Sequence, residues 1–315
     1  MGLSQSVVVP PPILVSDIIS EDDDAGRAQL CQYLVKYGFA VLRDTPENVE
    51  MVRECRRKVA DFFHLPMEEK KKYEIFVEDD IRGKRRVNRG YLSYQHKEFL
   101  KIRLDDPQET YPASVEGLHP AFSSAMNHMH DIVRSALHKV GIGSSEAYNE
   151  SEGRWISEDF FTTAKDFLVG GSSLSVIRYY NMMNIPPESV LGEKESEEKE
   201  PSYDAPKDVE DVYGVAAGDR HIPCSEHYDT GIFTLILLSE IPGLQVENRE
   251  TKEWIPIEKV GQPGDFALIM GRKIDLIKRP KDLPLTPTFH RVEKANDVER
   301  QSILFFYDLQ TSPHD

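Results

Sequence analysis

Cysteine is scarce. The 315-residue chain has 3, at Cys31, Cys55 and Cys224, and this odd count excludes a disulfide framework and points to a reducing, cytoplasmic setting. No apolar stretch is long enough to cross a bilayer, since the longest near-continuous one, Ile232–Leu238, is far short of the ~20 residues needed. No charged segment followed by an apolar one is found near residue 1, so no secretory signal is read, although Met1-Gly2-Leu3-Ser4-Gln5-Ser6 fits the loose N-myristoylation pattern. Positive charge is in deficit: 38 Lys and Arg stand against 54 Asp and Glu, a formal net charge of -16, which argues against a nucleic-acid partner. Internal repeats, a phosphate-cradling glycine loop and a serine-nucleophile elbow are also missing.

What remains is an ordinary globular composition, 39% hydrophobic and 29% charged, which allows a sizeable core. Residues 1–12 end in a proline run and read as a flexible N-terminus. Ile13–Ile19 alternates weakly, as a short strand would. Helical spacing covers Ala25–Tyr37, stopped by Gly38, and Glu47–His64, with a short helix after Pro66 and a long one over Pro120–Val140. Phe39–Leu42 reads as a strand. His128, His130 and His138 on the long helix do not share a face and read as structural or exposed. Beyond residue 170 the pattern becomes short β-rich runs: Leu174–Tyr180, Phe233–Leu238, Gly243–Val246, Trp254–Ile257, Phe266–Met270, Phe289–Val292 and Ser302–Tyr307. Such a series implies a sandwich, barrel or jelly roll. The expected organisation is a mostly helical region over 13–170 packed on a β core over 171–309, with a tail at 310–315. The chain is expected to be a monomer or a weak homo-oligomer.

The chemistry starts at His227-Tyr228-Asp229. Alone the triplet is weak, because about one His-x-Asp arises by chance in such a chain. Its setting is stronger. It precedes the most apolar strand, and strand alternation would turn His227 and Asp229 to one side. His290 opens another strand. Two imidazoles and a carboxylate form the facial triad that holds non-haem Fe(II) and leaves coordination positions open. Arg300 and Ser302, again two apart on a strand, would be expensive to bury together unless they meet an anion, and a carboxylate fits the guanidinium fork. Cys224 reads as a small apolar neighbour of the triad and not as a ligand.

Taken together, His227-Tyr228-Asp229, Gly243-Leu244-Gln245-Val246, Pro263-Gly264-Asp265, His290-Arg291-Val292 and Arg300-Gln301-Ser302 resemble the iron(II)/2-oxoglutarate-dependent oxygenases of the isopenicillin N synthase-like group. Tyr37-Gly38-Phe39, Phe62-Phe63-His64-Leu65-Pro66 and Arg89-Gly90-Tyr91 resemble that family's N-terminal region, so the resemblance spans most of residues 13–309. It implies an α+β fold whose core is a double-stranded β-helix (a jelly roll, cupin-like) flanked by N-terminal helices. It implies Fe(II) held by the catalytic residues His227, Asp229 and His290. It implies 2-oxoglutarate as cosubstrate, its far carboxylate on Arg300 and Ser302 with Tyr180 assisting, and O2 as the oxidant. The reaction implied is oxidation of an unactivated C–H by hydroxylation, desaturation or oxidative cyclisation, with release of succinate and CO2. An oxidase of the isopenicillin N synthase kind, which uses no 2-oxoglutarate, and a silent binding module on the same fold are the alternatives.

The substrate leaves weaker traces. A basic run (Arg82, Lys84, Arg85, Arg86, Arg89) and Arg178 stand out in an acidic chain and suggest a small anionic molecule, carboxylated and amino-acid-derived among the options. Arg89, Tyr91, Arg178 and Phe306 are the candidate substrate contacts, and an Arg178 paired with a local acid is the competing reading. Residues 181–220 and 271–287, the first with the acidic run 193–200, are longer than usual for the family and would suit lids.

Overall fold

The computed structural model describes residues 11–20, 24–79, 84–94, 97–140, 147–149, 154–156, 172–179, 224–276, 283–293 and 298–308. Tyr180, the acidic run 193–200, most of the two long insertions, the side chains of 82–88 and the start of the chain lie outside the described residues. In chain order the elements are β1 (Ile13–Leu14), α1 (Val15–Ile19), α2 (Asp24–Tyr37), β2 (Phe39–Arg43), α3 (Pro46–Phe63), α4 (Met67–Lys71), β3 (Glu74–Asp79), β4 (Lys84–Tyr94) and β5 (Lys97–Arg103). Then follow α5 (Leu118–Lys139), β6 (Ala147–Asn149), β7 (Arg154–Ile156), β8 (Ser173–Tyr179), β9 (Cys224–His227), β10 (Phe233–Leu237) and β11 (Leu244–Glu247). The last are β12 (Trp254–Pro256), β13 (Phe266–Met270), β14 (His290–Val292) and β15 (Arg300–Tyr307).

A nine-stranded sheet runs β1-β2-β13-β10-β15-β8-β5-β4-β3, and a four-stranded sheet runs β12-β11-β14-β9. The large sheet is buried on both faces, which is why β10 and β13 read as unbroken apolar runs without alternation. Phe233, Leu235 and Leu237 of β10 join the core beneath the helices, while Ile236 joins Ile269, Val246 and Ile255 in the smaller core between the sheets. Helices α3 and α5 cover the outer face. In α3, Thr45 caps the N-terminus by accepting from the Asn48 N–H at 3.3 Å, Pro46 begins the first turn, and Val49, Val52, Cys55, Val59 and Phe62 are buried. In α5, Phe122, Met126, Met129, Val133 and Leu137 form the buried stripe. His128 is tied to Asp44 at 2.6 Å, His130 stacks on Tyr307 and His138 is exposed, and among the described residues none of them joins a metal cluster.

The N-terminal part is less helical than its periodicity suggests. Ile13–Ile19 is only briefly a strand before Val15 starts a helix. From Lys84 onward the basic run is part of β4, and β4 pairs with β3 and β5, carrying the large sheet out past β8. Gly90 explains why this region needs its Arg-Gly-Tyr: its φ is +73°, and a Cβ there would lie 1.9 Å from the Tyr73 carbonyl oxygen. Across the large sheet, Arg43 of β2 grips Asp265, just before β13, through two 2.8 Å bonds. That fork joins the N-terminal strand to the Pro-Gly-Asp turn.

Candidate active site

A cavity lies between the sheets, walled by β5, β8 and β15 on one side and by β9 and β14 on the other. The empty space within it and at its mouth is about 1150 Å³, part of it open to solvent. His227 ends β9 and His290 begins β14. The strands are antiparallel and pair these two residues directly, so both imidazoles leave the same face.

Asp229 arrives differently from what strand alternation suggests. β9 stops at His227, and Asp229 comes round in the following turn. The Arg272 N–H donates to the Asp229 carbonyl at 2.7 Å and the Lys273 N–H to that of Gly231 at 3.0 Å, which fastens the turn to the end of β13. Contact is tightest at Gly271, where a Cβ would lie 2.1 Å from the Gly231 carbonyl oxygen and 2.9 Å from that of Asp229.

One ligand atom from each of His227, Asp229 and His290 lies within 4.8 Å of the others. His227 Nε2 is 3.5 Å and His290 Nε2 3.7 Å from Asp229 Oδ1. With metal–ligand bonds of ~2.0–2.2 Å, one ion fits between them. The outward atoms are engaged as well. His227 Nδ1 lies 2.7 Å from the Ser225 carbonyl, His290 Nδ1 lies 3.1 Å from that of Thr288, and Thr234 Oγ1 donates to Asp229 Oδ2 at 2.5 Å. These bonds leave both Nε2 lone pairs and Asp229 Oδ1 turned inward, which is the arrangement a metal requires of its ligands. Burial raises the Asp229 carboxyl, yet its interactions with the His290 and His227 imidazoles and the bond from the Thr234 hydroxyl outweigh it and hold the group well below the ordinary carboxylate range. Burial brings the His290 imidazole down to about 4, keeping it neutral and able to ligate. Cys224 is buried in the cavity wall with Sγ 3.8 Å from His227 Nδ1, the nitrogen facing away from the cluster.

Deeper in the same cavity, Arg300 and Ser302 leave β15 on one face, each 3% exposed, and Arg300 Nη1 donates to Ser302 Oγ. The Tyr179 ring lies 5.8 Å from the guanidinium carbon. Buried cationic donors beside three convergent metal ligands form a seat for a molecule that is both chelating and anionic.

Residues 172–309 match the family model described as the 2OG-Fe(II) oxygenase superfamily, and residues 11–142 match the one described as the N-terminal region of non-haem dioxygenases in morphine synthesis. The chain belongs to the 2OG-Fe(II) oxygenase superfamily. It is therefore an oxidoreductase of a family that works with Fe(II), 2-oxoglutarate and O2. It is 25% identical to a 2-oxoglutarate-Fe(II) type oxidoreductase of Aspergillus fumigatus, over 95% of this chain and 82% of that protein. A similar oxidoreductase, hxnY of Emericella nidulans, is 23% identical over 94% of this chain and 79% of its own length. Among solved structures, the dioxygenase for auxin oxidation 1 of Arabidopsis thaliana, in its binary complex with 2-oxoglutarate, superposes with a TM-score of 0.59 at 15% identity, over 95% of this chain and 92% of that one. That likeness agrees with the jelly-roll core and its flanking helices.

In this oxygenase, three of the substrate candidates fall elsewhere than the sequence reading puts them. Phe306 does line the cavity. Arg178 does not: β8 turns Ser173, Ser175, Ile177 and Tyr179 inward, so Arg178 points to the helical side. There Arg178 Nη1 bonds Glu98 at 3.1 Å and Nη2 bonds Glu299 at 2.8 Å, the local pairing that competed with a substrate role. Glu98 is fully buried and also accepts from Lys70 at 2.7 Å and from the Tyr91 hydroxyl at 2.8 Å, which takes Tyr91 away from the cavity too. Arg89 is paired with Asp106. Strand parity explains all three, since the register of β4 and β5 against β8 was not readable from composition. Tyr180, the cosubstrate candidate, lies outside the described residues. The same register brings in two cations that the sequence reading passed over, Lys97 and Lys101 of β5, both in the cavity wall. They alternate with Phe99, a period-two pattern hidden among charged residues.

Proposed function

We propose that this oxygenase oxidises an unactivated C–H of a small carboxylated molecule, amino-acid-derived compounds being among the candidates, by hydroxylation, desaturation or oxidative cyclisation. The carrying observation is the convergence of His227, Asp229 and His290 in one cavity with the Arg300–Ser302 pair. In this reading the three side chains hold the ferrous ion on one face, and Arg300 and Ser302 grip the far carboxylate of 2-oxoglutarate. The bound ion with its cosubstrate and O2 supplies the oxidation, and succinate and CO2 leave.

The protein's part is ligation, aim and exclusion of water. The His227 and His290 rings are locked by backbone carbonyls, so neither needs to reorient when the ion arrives. Ile177, Leu244 and Leu304 make much of the cavity wall apolar, which strengthens every charged contact inside it. Lys97, 2% exposed and in register with Tyr179, and Lys101, whose ammonium lies 5.9 Å from the Phe306 ring, support an anionic substrate. They take over the role that Arg89 and Arg178 cannot fill from the helical side.

The test is an anaerobic titration of the Fe(II)-loaded protein with 2-oxoglutarate, followed by visible absorbance. A metal-to-ligand charge-transfer band should grow in, and His290→Ala should abolish it. Under air, succinate should form faster when an accepted carboxylic acid is added than with its amide. Absence of the band in the wild-type protein, or equal stimulation by acid and amide, would refute the reading.

A further inference from the structure

The Arg300 guanidinium is fixed on three sides before any ligand arrives. Its Nε donates to the Ile241 carbonyl at 3.2 Å, its Nη1 to Ser302, and its Nη2 to Glu258 Oε1 at 3.2 Å. A guanidinium carries five N–H donors in a rigid plane. Three are thereby committed, which leaves one hydrogen on each terminal nitrogen, the pair that a carboxylate takes in fork fashion. Which way that fork points is decided by what holds Nη2. Ile241 and Ser302 hold Nε and Nη1, and Glu258 alone holds Nη2 among these three anchors.

Glu258 is built for this. It sits in the short 3₁₀ turn Ile257–Lys259 after β12, with its side chain 5% exposed. Its Oε1 also accepts from the Leu244 N–H at 3.2 Å, so the carboxylate is itself tied to β11. Its other oxygen, Oε2, is buried without a hydrogen-bond partner among the described residues. A buried carboxylate with half its acceptors idle is costly unless a counter-charge offsets it, and the Arg300 guanidinium does so.

We propose that Glu258 is a positioning residue that aims the Arg300 fork at the far carboxylate of 2-oxoglutarate. Cosubstrate affinity is then set partly by a residue outside the Arg-x-Ser motif. The proposal rests on the reading that Arg300 receives that carboxylate, and the choice of ligands separates the two. Pyruvate carries the same chelating keto acid as 2-oxoglutarate but lacks the far carboxylate, so its affinity reports the metal end alone.

Dissociation constants for 2-oxoglutarate and for pyruvate are measured anaerobically on the Fe(II)-loaded wild type and on Glu258→Gln, Glu258→Asp and Glu258→Met. Gln keeps the acceptor oxygen at the same reach, Asp keeps the charge but falls short by one methylene, and Met keeps neither. The expected result is near-wild-type 2-oxoglutarate binding for Gln, and binding roughly tenfold to a hundredfold weaker for Asp and Met. Pyruvate binding should be unchanged in all of them. Wild-type-like 2-oxoglutarate binding in Met overturns the proposal. So does equal weakening of both ligands, which would mean a merely structural role, and so does a Gln variant as weak as Met. If the wild type itself does not prefer 2-oxoglutarate over pyruvate, it is the Arg300 reading that fails.

Discussion

His227 and His290 face each other across the β9–β14 pair with ring centroids 4.3 Å apart and planes tilted by 49°. Each is held by the carbonyl two residues before it, Ser225 for one and Thr288 for the other. The same local device on two antiparallel strands therefore presents two Nε2 atoms to one point. The third ligand takes its orientation from a side chain, Thr234.

That dependence is testable at Thr234. Its hydroxyl is the one polar group that β10 sends inward toward Asp229, at 2.5 Å from Oδ2. Thr234→Val keeps the shape and removes the donor. Iron affinity, measured by competition with a chromogenic chelator, is expected to fall about tenfold or more while the melting profile stays cooperative. Unaltered affinity would show that the turn alone suffices to hold Asp229.

The cavity lysines make a second case. Lys101→Met removes the charge and keeps the stem that packs near Phe306. With a carboxylic-acid substrate, kcat/KM should drop about tenfold or more, the size of one charge-assisted contact, with the 2-oxoglutarate KM little changed. An amide of the same acid should lose nothing. A parallel loss for acid and amide would point to packing as the cause.

Acid should weaken the metal-free protein through His290. Burial lowers this imidazole from 6.5 to about 4, so between those pH values the unfolded chain binds a proton that the folded one refuses. Stability carried by this group is whole above pH 6.5 and is lost as the pH falls toward 4. The melting temperature of the metal-free protein should decline over that window, and less steeply in His290→Gln. Equal slopes in the two proteins would assign the acid sensitivity to other groups.

Much of this was legible in the sequence. The triad, Arg300 and Ser302, the apolar β-runs and the helices α3 and α5 all carry strong local patterns, because metal ligation and amphipathic burial constrain residue type at fixed spacing. The strands β3, β4 and β5 carry almost none. Lys97–Arg103 reads Lys-Glu-Phe-Leu-Lys-Ile-Arg, and its inward cations look like solvent-facing ones until β8 sets the register. Arg178 erred for the same reason: a slip of one position exchanges the two faces of a strand. Glu258 and Thr234 lack any motif of their own, since they act on Arg300 and Asp229 only through the fold.

Gly271 extends that argument to a residue with no side chain. The turn that delivers Asp229 rests against its bare Cα, leaving no space for even one added carbon. Gly271→Ala should therefore read as a quiet, well-folded protein by circular dichroism while its bound iron falls far below one equivalent. The vulnerability of this metalloenzyme lies partly in the close approach of two backbones, where a single methyl acts on the ion from a position outside the coordinating atoms.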